Sequence, residues 1–198
     1  ESNVIETTNK VSATQTYVES YEYNKLYQVI KTTEDKNGLQ IITQKGYDSL
    51  HRLITLTDAK NQVTSYEFDI ENRITKETYA DGNYITRTYD LDGRLTSKTD
   101  QAGDVCNYTY SARDELLQQT YGTTGIKSFT YDSLGRRLTD SDNNNGNKVV
   151  TSTYTYDRLH RNLTDTQKIG TGASLTNAKV FNAFGDVTQV TLPSGKVI

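Results

Sequence analysis

The 198-residue sequence has no tryptophan, no methionine, one proline and one cysteine. Cys106, standing alone, can build neither an internal disulfide framework nor a cysteine-based metal site, and it leaves the redox compartment open. No apolar run approaches the roughly 20 residues that a membrane helix needs, so membrane insertion by this segment is not expected, and the polar start Glu1-Ser2-Asn3 is not a signal peptide. Charge of one sign is also missing: 22 Lys and Arg are interspersed with 25 Asp and Glu for a net charge of −3, which argues against a nucleic-acid surface. Hydrophobic residues make up only 33% of the chain and the mean hydropathy is −0.74, a thin supply for a conventional core.

What the chain does have is 15 Tyr and 4 Phe among abundant Thr, Val, Ile and Leu, residue types that suit a pleated, half-buried surface. Disorder is therefore not expected, and the composition reads as all-β. An aromatic residue followed by a short polar one recurs at Tyr23-Asn24, Tyr47-Asp48, Phe68-Asp69, Tyr89-Asp90, Tyr110-Ser111, Tyr131-Asp132, Tyr156-Asp157 and Phe181-Asn182. The steps between these eight copies are 24, 21, 21, 21, 21, 25 and 25 residues, so the period, not any single motif, is the main signal. The longer steps coincide with Gly- and Asn-rich stretches such as Asn143-Asn144-Asn145-Gly146 and Gly170-Thr171-Gly172, where loop insertion costs little.

Each copy reads as a β-hairpin, with Tyr89-Asp90-Leu91-Asp92-Gly93-Arg94-Leu95-Thr96 the clearest. A three-residue connection of this kind is a type I turn followed by a left-handed residue that forms a bulge. That fifth position holds Tyr27, His51, Asn72, Gly93, Asp114, Gly135, His160 and Gly185; Gly, Asn, Asp and His tolerate positive φ, and Tyr27 is the exception. The second position always carries a side-chain oxygen able to bond a backbone N–H two residues on. Further turns are expected at Asn37-Gly38, Asp58 to Asn61, Asp81-Gly82, Asp100 to Gly103, Thr124-Gly125, Asn145-Gly146 and Ser194-Gly195, which makes the array a continuous antiparallel meander.

Aromatics on entry to the hairpins alternate, as in Tyr21 and Tyr23, Tyr66 and Phe68, Tyr108 and Tyr110, Phe129 and Tyr131, and Tyr154 and Tyr156, so each pair shares a face. Equivalent rings of successive repeats lie roughly 9.6 Å apart, two strand spacings, which is too far to stack. The residue after the basic position, namely Ile74, Leu95, Leu138 or Leu163, is expected to fill the gap. A sheet of about sixteen such strands is expected to twist and curl into a wall. The chain starts partway into one unit and stops before the next aromatic pair, so residues 1–198 are read as a single array of about eight copies excerpted from a longer protein.

These residues carry a family resemblance. Tyr131-Asp132-Ser133-Leu134-Gly135-Arg136-Arg137-Leu138-Thr139 resembles the YD repeat of Rhs proteins, Tyr89, Asp90, Gly93 and Arg94 form a second good copy, and Tyr47-Asp48 and Tyr156-Asp157 open two more. The resemblance covers roughly residues 17 to 198. The family includes bacterial Rhs and other polymorphic toxins, the B and C components of Tc toxins, wall-associated bacterial proteins and animal teneurins. It implies a secreted or cell-surface location and a repeat shell that spirals around a variable C-terminal effector domain, so the implied partners are the flanking repeats and that cargo. Two copies depart from the pattern: Tyr110 to Glu115 lacks the Asp, Gly and Arg, and Tyr23 to Gln28 matches less well still. The proline-rich boundary and self-cleavage motif of Rhs cores have no counterpart in this segment, so neither protease activity nor toxicity is expected of it.

Candidate chemical sites are few. His51 and His160 fall on the turn position that elsewhere is Gly or Asn, so backbone geometry accounts for them without catalysis. Cys106 reads as a packed or half-exposed thiol. Asp140, Asp142 and Asn144 resemble the start of a calcium loop, but Gly146 falls one residue late and Thr151 stands where the bidentate Glu belongs, so a solvated insertion loop is the preferred reading. Asn107-Tyr108-Thr109 and Asn162-Leu163-Thr164 match the glycosylation pattern, as a Thr- and Asn-rich chain does by chance. No cofactor and no catalytic residue are proposed. The sequence is read as a non-catalytic wall segment of a large exported toxin; the alternative is a surface adhesion or carbohydrate-binding array with glycan or cell-surface contacts.

Overall fold

A computed structural model describes residues 3–10, 16–36, 39–122, 125–143 and 149–198. Among them are seventeen strands and no helix. The chain divides into two compact units, residues 1–87 and 88–198, and the division falls inside one strand.

The first unit holds β1 (Asn3–Lys10), β2 (Thr16–Tyr23), β3 (Val29–Lys36), β4 (Leu39–Tyr47), β5 (Leu53–Thr57), β6 (Val63–Phe68), β7 (Ile74–Thr78) and the start of β8 (Tyr84–Tyr89), each paired antiparallel to the next. In the second unit the end of β8 leads to β9 (Leu95–Thr99), β10 (Val105–Tyr110), β11 (Leu116–Tyr121), β12 (Gly125–Tyr131), β13 (Arg137–Asn143), β14 (Val150–Tyr156), β15 (Asn162–Ile169), β16 (Leu175–Phe181) and β17 (Val187–Thr191). From β9 onward these too pair with their sequence neighbours, as a meander requires.

No described side chain is fully buried; among the described residues only Cys106, at 7% exposure, Ser152, at 9%, and Gly125 are buried. Each unit is thus one strand layer thick, which explains how a chain with 33% hydrophobic residues folds at all. Without a second layer to pack on, a strand owes its place to its two neighbours, and stability becomes a sum of junction terms.

The turns follow the expected geometry. In all eight copies the N–H of the fifth residue donates to the carbonyl of the second, and the N–H of the second donates to the carbonyl of the sixth, as in Gly93 to Asp90 (3.1 Å) and Asp90 to Arg94 (3.0 Å). The fifth residue has positive φ in every copy, from 61° at Tyr27 to 96° at Gly185. Tyr27 is the one residue whose type does not predict this, and it adopts the conformation because Asn24 dictates it. The N–H groups of Leu26 and Gln28 both bond Asn24 Oδ1, at 2.9 and 3.0 Å, and close the loop around it. A register shift just before the aromatic in seven copies sets that residue opposite the one six positions on, for example Tyr110 opposite Leu116.

The same three-residue turn closes the opposite edge at Asp58–Asn61, Tyr79–Gly82, Asp100–Gly103 and Leu192–Gly195. Gly170-Thr171-Gly172 lies in a turn between β15 and β16, and Gly125 begins β12, while Asn37-Gly38, Thr124 and Asn145-Gly146 fall outside the described residues. The segment from Asp140 does not open a solvated loop. β13 runs through Asn143, and residues 140–143 are half-buried because the lengthened β12 continues beside them, pairing Asp140 with Phe129 and Asn143 with Ile126.

Candidate functional site

The most ordered chemistry in the chain lies where one repeat meets the next. Within a hairpin, one oxygen of the second residue accepts two backbone N–H groups, from the residues two and four positions on. Asp132 Oδ1 receives Leu134 N (2.9 Å) and Arg136 N (3.0 Å). All eight copies do this, Ser111 with its hydroxyl and Asn24 and Asn182 with their amide oxygens. The two-residue capping bond is legible in the sequence; the second, to the residue four on, is not.

The other carboxylate oxygen takes the arginine. Arg52, Arg73, Arg94, Arg136 and Arg161 donate Nε–H to Asp48, Asp69, Asp90, Asp132 and Asp157 at 2.6–2.7 Å. For Asp48, the backbone N–H of Arg52 is the first cause that holds the carboxyl below its ordinary range, with help from the guanidinium and against desolvation. For Asp69, Asp90, Asp132 and Asp157, desolvation is the largest single influence and pushes upward, but the backbone and guanidinium donors together outweigh it and the carboxyl stays low. All five are therefore held as carboxylates, the form the arginines need.

Held by its Asp, the guanidinium reaches forward. Arg52 Nη1 donates to the carbonyl of Asp69 (3.1 Å), Arg94 to that of Ser111 (3.3 Å), Arg136 to that of Asp157 (2.8 Å) and Arg161 to that of Asn182 (3.1 Å). The same groups lie over the next repeat's ring: Arg52 on Phe68 at 4.7 Å, Arg94 on Tyr110 at 5.3 Å, Arg136 on Tyr156 at 4.9 Å and Arg161 on Phe181 at 4.6 Å. Tyrosines reach backward. The hydroxyls of Tyr47, Tyr110, Tyr131 and Tyr156 donate to the carbonyls of Val29, Leu95, Leu116 and Arg137 at 2.9–3.0 Å.

The inter-repeat gap is thus bridged by guanidinium groups and phenol hydroxyls, not by an apolar filler alone. Ile74 and Leu95 do stand six residues after their aromatic, in phase with it. Leu138 and Leu163 do not fill the gap as expected: they stand seven residues on, one position out, and a one-residue offset turns a strand side chain to the other face. Arg137 and Asn162 occupy the in-phase positions opposite Tyr131 and Tyr156, and the Arg137 guanidinium lies 4.8 Å from the Phe129 ring centre.

The two copies that depart from the pattern keep its function by other means. In Tyr110 to Glu115 the forward arginine has moved two positions earlier: Arg113 donates Nη1–H to Ser133 O (2.7 Å) and Nη2–H to Asp132 O (3.1 Å), while Glu115 pairs with it. In Tyr23 to Gln28, the amide of Gln28 donates to the carbonyl of His51 at 3.1 Å.

The remaining candidates sit apart from this ladder. His51 and His160 occupy the left-handed turn position, at φ 68° and 66°. Asp140 accepts the Tyr154 hydroxyl at 2.8 Å and Asp142 pairs with Lys127 at 3.2 Å; Asn144 lies outside the described residues. Among the described residues no group of three or more His, Cys, Asp or Glu is placed to hold a metal ion. Cys106 is a buried free thiol, and it helps raise the pKa of Tyr108, whose burial is the larger cause. Asn107 and Asn162 both lie in strands.

A sequence comparison with curated proteins finds no match. The family model described as RHS Repeat matches residues 47–84 and 89–126. In structure the chain is similar to the crystal structure of TcdB2-TccC3-Cdc42, with a TM-score of 0.73 and 15% identity over 88% of this chain and 11% of that one. TcdB2-TccC3 gives 0.73 and 15% over 90% and 12%, and a Tc holotoxin pore of Photorhabdus luminescens gives 0.72 and 15% over 91% and 11%. At such identity the likeness shows the fold, and this chain spans about a tenth of the solved chains it matches. Residues 47–84 and 89–126 thus match Rhs repeats, and the period, the hairpin geometry and the Asp–Arg–aromatic ladder carry the same repeat pattern through the other copies described.

Proposed function

We propose that the chain is a non-catalytic wall segment of an exported Rhs/Tc-type toxin, one stretch of a repeat shell that encloses a separate effector domain and helps deliver it. The observation that carries this reading is the ladder. The groups in the motif able to do chemistry, carboxylate, guanidinium and phenol, recur at one phase and are engaged in bonds within a hairpin or to the next one. Such use suits a continuous wall and leaves the motif little to offer a substrate. The fold likeness to Tc toxin complexes supports the same assignment. The partners proposed are the flanking repeats and the enclosed domain.

The test is protease protection in the intact parent protein. The effector domain is expected to survive protease while the shell is whole, and to be digested when Arg52, Arg94, Arg136 and Arg161 are all replaced by Ala. Digestion of the enclosed domain at the rate of the same domain free in solution would overturn the reading. Saturable binding of the 198-residue chain to glycans would move it to an adhesion array.

A further inference from the structure

The hairpin tips of residues 88–198 expose a row of large apolar side chains that nothing in the ladder uses. The two tip residues preceding the left-handed position are exposed in each of these hairpins. There Leu91 is fully exposed, and Leu134, Leu159 and Phe184 are 62%, 68% and 92% exposed. A meander puts these turns on one edge. At the equivalent tip positions of the opposite edge the unit carries Gln101-Ala102 and Pro193-Ser194, while the strand ends there expose Tyr121, Ile169 and Leu175.

We propose that this edge is a self-association surface on which a second copy of the chain packs antiparallel, Leu91 of one copy against Leu159 of the other. Two arguments select that occupant. The tips recur once per repeat, roughly 9.6 Å apart, and a partner that presents apolar groups at the same interval is another array of the same repeat. The tips also carry charge in a polar order: Asp92 beside Leu91, then Arg113, then Ser133, then Arg158 beside Leu159. A parallel in-register partner would set Asp92 on Asp92 and Arg158 on Arg158. An antiparallel one, with its two-fold axis between the tips of Arg113 and Leu134, sets each Asp92 opposite an Arg158, while Arg113 stays bonded to the Asp132 and Ser133 carbonyls of its own chain. That arrangement is self-complementary in charge and closes at two copies.

The experiment is sedimentation velocity on the 198-residue chain across a concentration series, with Asp92→Lys, Arg158→Glu, their double variant and Leu159→Glu. The turn bonds of these tips come from Asp90 and Asp157, so the exposed substitutions leave the hairpins folded, which far-UV circular dichroism checks. Asp92 also pairs with Arg94 within its own hairpin, so Leu159→Glu provides a disruption that touches no ion pair. The chain is expected to dimerise, each single variant to weaken the dimer by about tenfold or more, and the charge swap to restore it. A chain that is monomeric throughout, an open-ended polymer, or a double variant no tighter than the singles would each overturn the proposal.

Discussion

Replacing Arg136 by Ala tests the ladder at the junction between the sixth and seventh repeats. The substitution removes the 2.8 Å bond to the Asp157 carbonyl and the guanidinium lying 4.9 Å from the Tyr156 ring centre. A hydrogen bond from a charged donor contributes about 1.5–3 kcal/mol and a partly exposed cation–π contact about 0.5–1. Because the guanidinium is still a fifth exposed, water recovers part of this, and a loss of about 2 kcal/mol is expected. The ion pair with Asp132 is left out of that figure, since a carboxylate released at the sheet edge is resolvated. Urea unfolding followed by circular dichroism reads the change; with a slope of about 2 kcal/mol per molar, the midpoint falls by about 1 M. A double-mutant cycle with Tyr156→Leu is expected to show a coupling of about 0.5–1 kcal/mol, and Lys179→Ala, exposed on β16, to change stability by less than about 0.5. An Arg136→Ala midpoint indistinguishable from that of Lys179→Ala, or zero coupling to Tyr156, would refute the ladder as the bond between repeats.

Tyr27→Gly is expected to raise stability by about 1 kcal/mol, because Tyr27 sits at φ 61° and a left-handed side chain costs about 1–2; an unchanged midpoint counts against the turn dictating that conformation. Gly93→Val forces a β-branched side chain to φ 84° and is expected to lower the melting temperature well below that of Lys98→Ala, with equal melting temperatures sinking the turn assignment. Gly46→Ala drives a methyl group into the Thr55 hydroxyl directly across the strand pair, with an expected cost of about 1–3 kcal/mol, and the added change Thr55→Ala is expected to recover most of it in the same unfolding assay. Lowering the pH is expected to loosen the array below about pH 4. Asp48, Asp69, Asp90, Asp132 and Asp157 have folded pKa values below the unfolded value near 3.9, so their contribution is whole above that value and lost as pH falls through the folded one. A thermal midpoint flat from pH 6 to about pH 2.5 would contradict this.

The hairpins are legible in the sequence because their information is local. The Asp90 cap, the left-handed place of Gly93 and the alternation of Phe129 with Tyr131 all act within six residues, a range in which residue type and spacing settle geometry. Tyr27 departs from its own propensity because the turn that Asn24 closes around it sets its φ. Leu138 and Leu163 fall out of phase because each stands seven residues after its aromatic, where Ile74 stands six beside the same bulge, so Arg137 and Asn162 take the places opposite Tyr131 and Tyr156.

The sequence by itself determined the period, the all-β class, the turn type and the residues that cap it, since each depends on contacts a few positions apart. Only the tertiary structure decided what joins one repeat to the next. The bond from Arg136 to Asp157 spans 21 residues and that from Arg52 to Asp69 spans 17, distances over which no propensity acts and which close only once the strands between them have paired. For the same reason Arg113, in a copy that lacks the arginine of the pattern, carries the forward bond. A guanidinium on a flexible stem can reach the next carbonyl from either of two positions on the same hairpin, and which one it uses is settled by where the neighbouring strand lies.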